Sequence, residues 1–218
     1  MWNWLNALRT RNKQTVAARW LDPSENSWGL AVLDCSQNAG SMMSTTSDAE
    51  IAKTYARLRN SKGEEFRNAV FNPTLSVPCN LTYTVAKCIP DGPVFKSQVM
   101  EEKWDIYMYG GHLYFCRSWG GQLFYRVALR CEPPALRVLL IEANHKTSEK
   151  SILRDVDFLI KSHVLSAKAL HPLPWELGRD TQKLVLFSFS AYGRMGLYGT
   201  FEETIGTPYW DRSVLKRR

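Results

Sequence analysis

The chain has 218 residues, with 44% hydrophobic and 12% aromatic content, and a formal net charge of +7. That length is enough for one sizeable core, and a composition so rich in large apolar side chains excludes an intrinsically disordered protein. Residues 1–20 and 211–218 carry net charges of +4 and +3, so the body between them is formally neutral. Domains that grip duplex DNA usually carry a basic stripe on the folded body, and specific nucleic-acid binding is therefore not expected.

Three parts of the chain are expected: an N-terminal basic amphipathic helix over residues 1–20, a single domain over residues 21–210 and a basic tail over residues 211–218. Trp2 and Leu5 begin an apolar helical stripe that suits either a membrane surface or docking on the domain, and docking is favoured. The basic ends leave open a weak, non-specific contact with membranes or nucleic acid. No apolar run of about 18 residues predicts a membrane-spanning helix.

The cysteine and histidine patterns indicate neither a disulfide framework nor a metal site. The cysteines are odd in number, no two are spaced as C-x-x-C, and the histidines lack metal-ligand spacing. Scattered buried thiols in a reducing compartment explain the cysteines best, so we expect a cytoplasmic protein without a metal or cofactor. The cysteines are Cys35, Cys79, Cys88, Cys116 and Cys131.

Helices are predicted on both sides of a central group of strands. Ser47 and Glu50 form a capping-box pattern that begins a helix ending near Asn60. Thr147 or Ser148 caps a second helix, which carries an apolar stripe along one face.

Strands are predicted from period-two patterns and from short apolar runs. From Val77 onward, apolar residues alternate with polar or small ones, which is typical of a half-buried strand. Residues 136–141 are almost continuously apolar, as in a strand covered on both faces, and residues 184–189 are predicted to be a last strand. We therefore predict an α+β fold: a single domain with a mostly antiparallel central sheet and flanking helices.

Residues 104–129 are predicted to form the centre of this sheet, as three strands joined by Gly-Gly turns. Glycine adopts the positive φ values that two-residue type I′ turns need. If both turns are of this kind, counting places Trp104 opposite Arg117 in the first hairpin. In the second hairpin it places Arg117 opposite Phe124 and Phe115 opposite Arg126.

Arg117 is the anomaly of this register, because it lies between Trp104 and Phe124 on an otherwise apolar face. One interpretation is a core arginine that is satisfied by carbonyls or by a carboxylate, such as Glu101 or Glu132. The other is an aromatic-walled groove for an anionic ligand or a partner's carboxylates. The candidate ligand- or partner-binding residues are Arg117, Arg126, Trp104, Trp119 and Phe124.

The run Phe115-Cys116-Arg117-Ser118-Trp119-Gly120 resembles a strand-turn pattern, aromatic-x-Arg-Ser-Trp-Gly, in an uncharacterised family of bacterial proteins. Stretches within residues 158–163, 171–174 and 187–194 resemble the same group, so the resemblance covers roughly the second half of the chain. It implies a bacterial cytosolic origin and no particular activity.

No motif in the chain indicates a reaction. Nucleophile-elbow, P-loop and Rossmann glycine patterns are missing from the sequence. We therefore expect a non-catalytic interaction protein with a protein partner, for example an inhibitor- or immunity-type binder. The alternative is an enzyme or binding protein for a phosphorylated or nucleotide ligand that uses Arg117 and Arg126.

Overall fold

The computed structural model describes residues 17–67 and 69–211, and it confirms the α+β fold. The strands are β1 (Arg19–Leu21), β2 (Val32–Asp34), β3 (Leu75–Thr84), β4 (Gly92–Phe95), β5 (Trp104–Tyr109), β6 (His112–Arg117), β7 (Leu123–Glu132), β8 (Ala135–Ala143), β9 (Ala167–Lys168), β10 (His171–Pro172), β11 (Tyr198–Thr200) and β12 (Trp210–Asp211). The α-helices are α1 (Ser36–Ser41), α2 (Ala49–Leu58), α3 (Glu149–Leu159) and α4 (Thr181–Tyr192).

A six-stranded antiparallel sheet with the order β3-β8-β7-β6-β5-β4 forms the centre of the molecule. The first predicted hairpin is confirmed, because Trp104 lies opposite Arg117 across β5 and β6. Gly110 and Gly111 form its turn with φ values of 56° and 78°. Both values lie in the left-handed region that a type I′ turn requires.

The register predicted for the second hairpin is wrong, by one residue as far as Phe115 and by two residues at Cys116. Phe115 lies opposite Tyr125 rather than Arg126, and a bulge follows between Phe115 and Cys116. The Arg117 N–H donates to the Gln122 carbonyl, so the turn is longer than two residues. Because side chains alternate between the two faces of a strand, this slip moves Arg126 to the opposite face of the sheet from Arg117.

The main core lies between one face of this sheet and α3. Helix α3 begins at the predicted cap, where the Ser148 side chain accepts a hydrogen bond from the Ser151 N–H. Apolar residues of the sheet and of the helix form one buried cluster, which includes Ile106, Phe115, Val127, Ile141, Ile152, Val156 and Phe158. The amphipathic pattern of the sequence thus places α3 correctly.

Residues 184–189 belong to helix α4, and the strand predicted for them is wrong. The Asp180 side chain caps the helix by accepting from the Lys183 N–H, and Gly193 ends it with a positive φ of 62°. Leu184 and Val185 pack on Leu33 of a smaller mixed sheet with the order β1-β2-β11-β10. Helix α4 therefore joins the two sheets.

The second face of the six-stranded sheet is covered over only part of its width. Phe66 packs on a cluster of Tyr107, Tyr109, Tyr114 and Cys116 from β5 and β6. Phe66 does not cover strand β8, where Arg137 and Leu139 are exposed to solvent on this face. The prediction that residues 136–141 are covered on both faces is therefore wrong.

A disulfide joins Cys88 to Cys131 across 43 residues of sequence, so the expectation of unpaired thiols is wrong for these two cysteines. Cys35, Cys79 and Cys116 remain free, and Cys35 and Cys116 are buried. Among the described residues, no helix is both long enough and apolar enough to cross a membrane.

The two ends of the chain are described only in part. The predicted helix over residues 1–20 lies mostly outside the described residues, and Arg19–Leu21 form strand β1 rather than its last turn. Most of the basic tail over residues 211–218 lies outside as well, apart from Asp211 in strand β12.

Replacing Cys88 and Cys131 by serine is expected to lower the free energy of unfolding by about 2–4 kcal/mol, because the bond restricts the unfolded chain. Urea denaturation of both proteins measures this change. Replacing Cys79, which is free, by serine serves as the control. Equal midpoints for the double variant and the oxidised parent would show that this bond does not contribute.

Candidate functional site

Arg117 lies at the C-terminal end of α4 and donates to its last carbonyl groups. Its Nη1 and Nη2 atoms lie 3.0 and 2.9 Å from the carbonyl oxygens of Ala191 and Ser190. The Trp104 Nε1 atom also donates to the Ala191 carbonyl, at 2.8 Å. The last carbonyls of a helix have no partner within it and carry partial negative charge, so a guanidinium stabilises them.

The aromatic contacts predicted for Arg117 are present. Its guanidinium carbon lies 4.7 Å from the Trp104 ring centroid and 5.9 Å from that of Phe124. Burial lowers the pKa of Arg117 to about 10, so the side chain stays charged at neutral pH. These contacts match the interpretation of a core arginine satisfied by carbonyls. A ligand-binding role for Arg117 stays a prediction.

A polar cluster next to Arg117 joins the sheet, α3 and α4. The hydroxyl groups of Tyr192 and Tyr125 donate to the two oxygens of the Asp155 carboxyl group, at 2.5 and 3.2 Å. Tyr125 also lies 3.4 Å from Nε2 of His145. Burial raises the pKa of Asp155 to about 6, although hydrogen bonds from both tyrosines favour the carboxylate. Sequence reasoning missed this cluster, since its members lie on three separate elements.

Trp119 lies beside this region and has a different cationic neighbour. Its Nε1 atom donates to the Met100 carbonyl, and the Lys103 ammonium lies 4.5 Å from its ring centroid. Burial, and then the charge of Arg117, lower the pKa of Lys103 to about 7. The Lys103 ammonium donates to the Ser44 hydroxyl and thereby anchors the loop after α1.

Arg126 does not share a groove with Arg117. Its Nε and Nη2 atoms bind the Glu142 carboxylate at 2.5 and 2.8 Å, on the opposite face of the sheet. Its guanidinium carbon lies 5.4 Å from the Phe71 ring centroid. The anion groove that would combine the two arginines is therefore wrong, and the bulge after Phe115 is the physical reason.

The side of the sheet that carries Arg126 leaves three strands accessible, and we call this surface the open face. Cross-strand pairing arranges it in three rows over β3, β8 and β7, with Leu139 at a bulge between two of the rows. None of its residues is buried. The rows are Thr82, Arg137 and Arg130; then Pro78, Leu140 and Ala128; then Ser76, Glu142 and Arg126.

Two like charges face each other in the first row of the open face. Arg137 and Arg130 are direct cross-strand partners and both are exposed. Arg130 has an ion pair with Glu132, whereas Arg137 has none among the described residues. Like charges directly opposite each other destabilise a sheet, so this pair opposes folding rather than supporting it. Beside it, Leu139 is 45% exposed.

Comparisons of the chain with models of known protein families, with curated proteins and with solved structures found no match. The resemblance of residues 115–120 to a bacterial family stays a prediction. Within residues 17–67 and 69–211, no group of three or more His, Cys, Asp or Glu side chains is placed to hold a metal ion.

Arg117→Met is expected to lower the free energy of unfolding by about 2–4 kcal/mol, because it leaves the carbonyls of Ser190 and Ala191 without this partner. Arg117→Lys keeps the charge but cannot bind both carbonyls with a planar fork, so a smaller loss is expected. Urea denaturation measures both, with exposed Arg57→Met as the control. Unchanged midpoints for both variants would contradict the capping role.

Asp155 is expected to make stability depend on pH. Its pKa is higher in the folded protein, at about 6, than its ordinary value of 3.8. The protonated Asp155 side chain therefore contributes fully to the free energy of unfolding below pH 4. This contribution is lost as the pH rises through 6, and the free energy of unfolding falls by up to about 3 kcal/mol. Unfolding free energies of the parent and Asp155→Asn at pH 4 and 7.5 test this, with Glu176→Gln as control. The difference between parent and Asp155→Asn should change with pH, and a constant difference would contradict the assignment.

Proposed function

We propose that the protein is a non-catalytic interaction protein and that its open face binds an acidic partner protein. The observation that carries this proposal is the exposed pair of Arg130 and Arg137, which face each other across β7 and β8. A partner's carboxylate placed between them would relieve their repulsion and accept planar, bidentate hydrogen bonds. The repulsion between the two arginines destabilises the isolated protein, and its removal on binding then adds to the affinity for the partner.

The apolar middle row favours a protein over a nucleic acid as the partner. Pro78, Leu140 and Ala128 lie between the two charged rows, with the exposed Leu139 beside them. Protein interfaces combine an apolar centre with a polar rim, and arginine is enriched in them. Nucleic-acid backbones instead contact mainly cationic and hydrogen-bonding groups. The open face therefore has the composition of a protein-binding surface.

An inhibitor- or immunity-type binder of bacterial origin remains the form of this function that we propose. The cytoplasmic location that the sequence predicted is not part of this proposal. The Cys88–Cys131 disulfide argues for an oxidising compartment, because such bonds are rare in reducing cytosol. The alternative, a phosphorylated or nucleotide ligand bound by Arg117 and Arg126 together, loses its support because these side chains lie on opposite faces.

A photo-crosslinking amino acid in place of Leu139 tests the open face directly. We expect the protein with the crosslinker at position 139 to capture one acidic protein from an extract of the cells in which this protein naturally occurs. Because both arginines would contact that partner, Arg130→Glu with Arg137→Glu should reduce capture about tenfold or more. In the isolated protein, Arg137→Gln should raise the free energy of unfolding by about 0.2–1 kcal/mol at low salt.

Two matched controls make the outcome decisive. Arg57→Glu with Arg59→Glu makes the same charge change at the C-terminal end of helix α2, where both arginines are exposed, and should leave capture unchanged. The crosslinker in place of Met43, which is 76% exposed, should not capture the same protein. Equal capture at positions 43 and 139, or equal capture by the charge-reversed and parent proteins, would contradict the proposal.

A further inference from the structure

Two aromatic rings face one ammonium group, and a third ring packs against one of them, away from the open face. The Nζ atom of Lys168 lies 4.2 Å from the ring centroid of Tyr198 and 5.2 Å from that of Trp28. Trp210 lies directly opposite Lys168 across β9 and β12, and its ring centroid is 5.1 Å from that of Trp28. We call Trp28, Tyr198 and Trp210 the aromatic cage.

The aromatic cage is held in place by backbone contacts of distant parts of the chain. Trp28 lies in the loop between β1 and β2. Its Nε1 atom donates to the Pro208 carbonyl at 2.9 Å, which fixes the indole against the segment before β12. Tyr198 lies in β11, whose pairing with β2 places it opposite Asp34. The ring centroids of Trp28 and Tyr198 are 5.3 Å apart and the ring planes are inclined at 49°, so the two rings are tilted rather than stacked.

The cation in this cage is held by rings rather than by an ion pair. Among the described residues, no carboxylate lies within ion-pair distance of the Lys168 ammonium. Lys168 and all three rings are partly exposed, so solvent reaches the aromatic cage. A lysine on a flexible four-carbon stem can leave such a cage and be hydrated in water.

We propose that the aromatic cage is a binding site for a quaternary ammonium group and that Lys168 is a built-in occupant which the ligand displaces. Ring faces attract any cation, but a quaternary ammonium is less strongly hydrated than a lysine ammonium, so it loses less hydration when it lies against the two rings. The group can come from a small soluble amine such as choline or from a trimethylated lysine side chain. Both present the same positively charged trimethylammonium group.

Calorimetric titration of the full chain tests this site with choline chloride and with a trimethyl-lysine derivative blocked at both ends. Lys168→Ala removes the competing occupant, so we expect it to bind at least one probe about fivefold or more tightly than the parent does. Lys183→Ala, which removes an exposed lysine elsewhere, should not change the affinity. The stronger of the two probes identifies the source of the ligand.

The requirement for a positive charge is tested with 3,3-dimethyl-1-butanol, the neutral isostere of choline, which should not bind. Tyr198→Leu should weaken binding about tenfold, whereas Tyr198→Phe keeps the ring and should preserve it. Circular dichroism establishes that each variant is folded. Failure of folded Lys168→Ala to bind either probe, equal binding of the neutral isostere, or unchanged binding by folded Tyr198→Leu would overturn the proposal.

Discussion

The end of helix α4 is the point at which the elements of this fold meet, and Arg117 is the side chain that secures it. Its guanidinium binds the last carbonyls of the helix while it stacks on Trp104 of the central sheet. Tyr192, the last residue of the helix, donates to Asp155 of α3. An unpaired buried charge or carbonyl is costly, so these bonds fix the helix relative to both its neighbours.

The bulge after Phe115 gives the two faces of the sheet their different roles. It keeps Arg117 on the side of the core and turns Arg126 towards the open face. The outermost strands, β3 and β4, each contain a proline and a register shift, which protect them against pairing with further strands. Binding through the open face would therefore use side chains rather than an added strand.

Two further features depend on cations that form no ion pair with a carboxylate of residues 17–67 or 69–211. Arg137 faces another arginine on the open face, and Lys168 lies among aromatic rings. Neither arrangement is required by the fold, because ordinary ion pairs would satisfy these side chains better. Such departures from the most stable choice are expected where a surface has a function.

The sequence alone determined the α+β class, the first hairpin and helix α3, because each depends on local patterns: period two, a Gly-Gly turn and a capped amphipathic stripe. It also brought Arg117 to Trp104. The second hairpin, the disulfide, the open face and the aromatic cage were decided by the tertiary structure. A bulge shifts register without a local signal. Helix α4 is a different case, because its caps, Asp180 and Gly193, are local signals that the strand prediction for residues 184–189 did not use. Trp28, Tyr198 and Trp210 meet only after three separate strands or loops have packed, which no local pattern encodes.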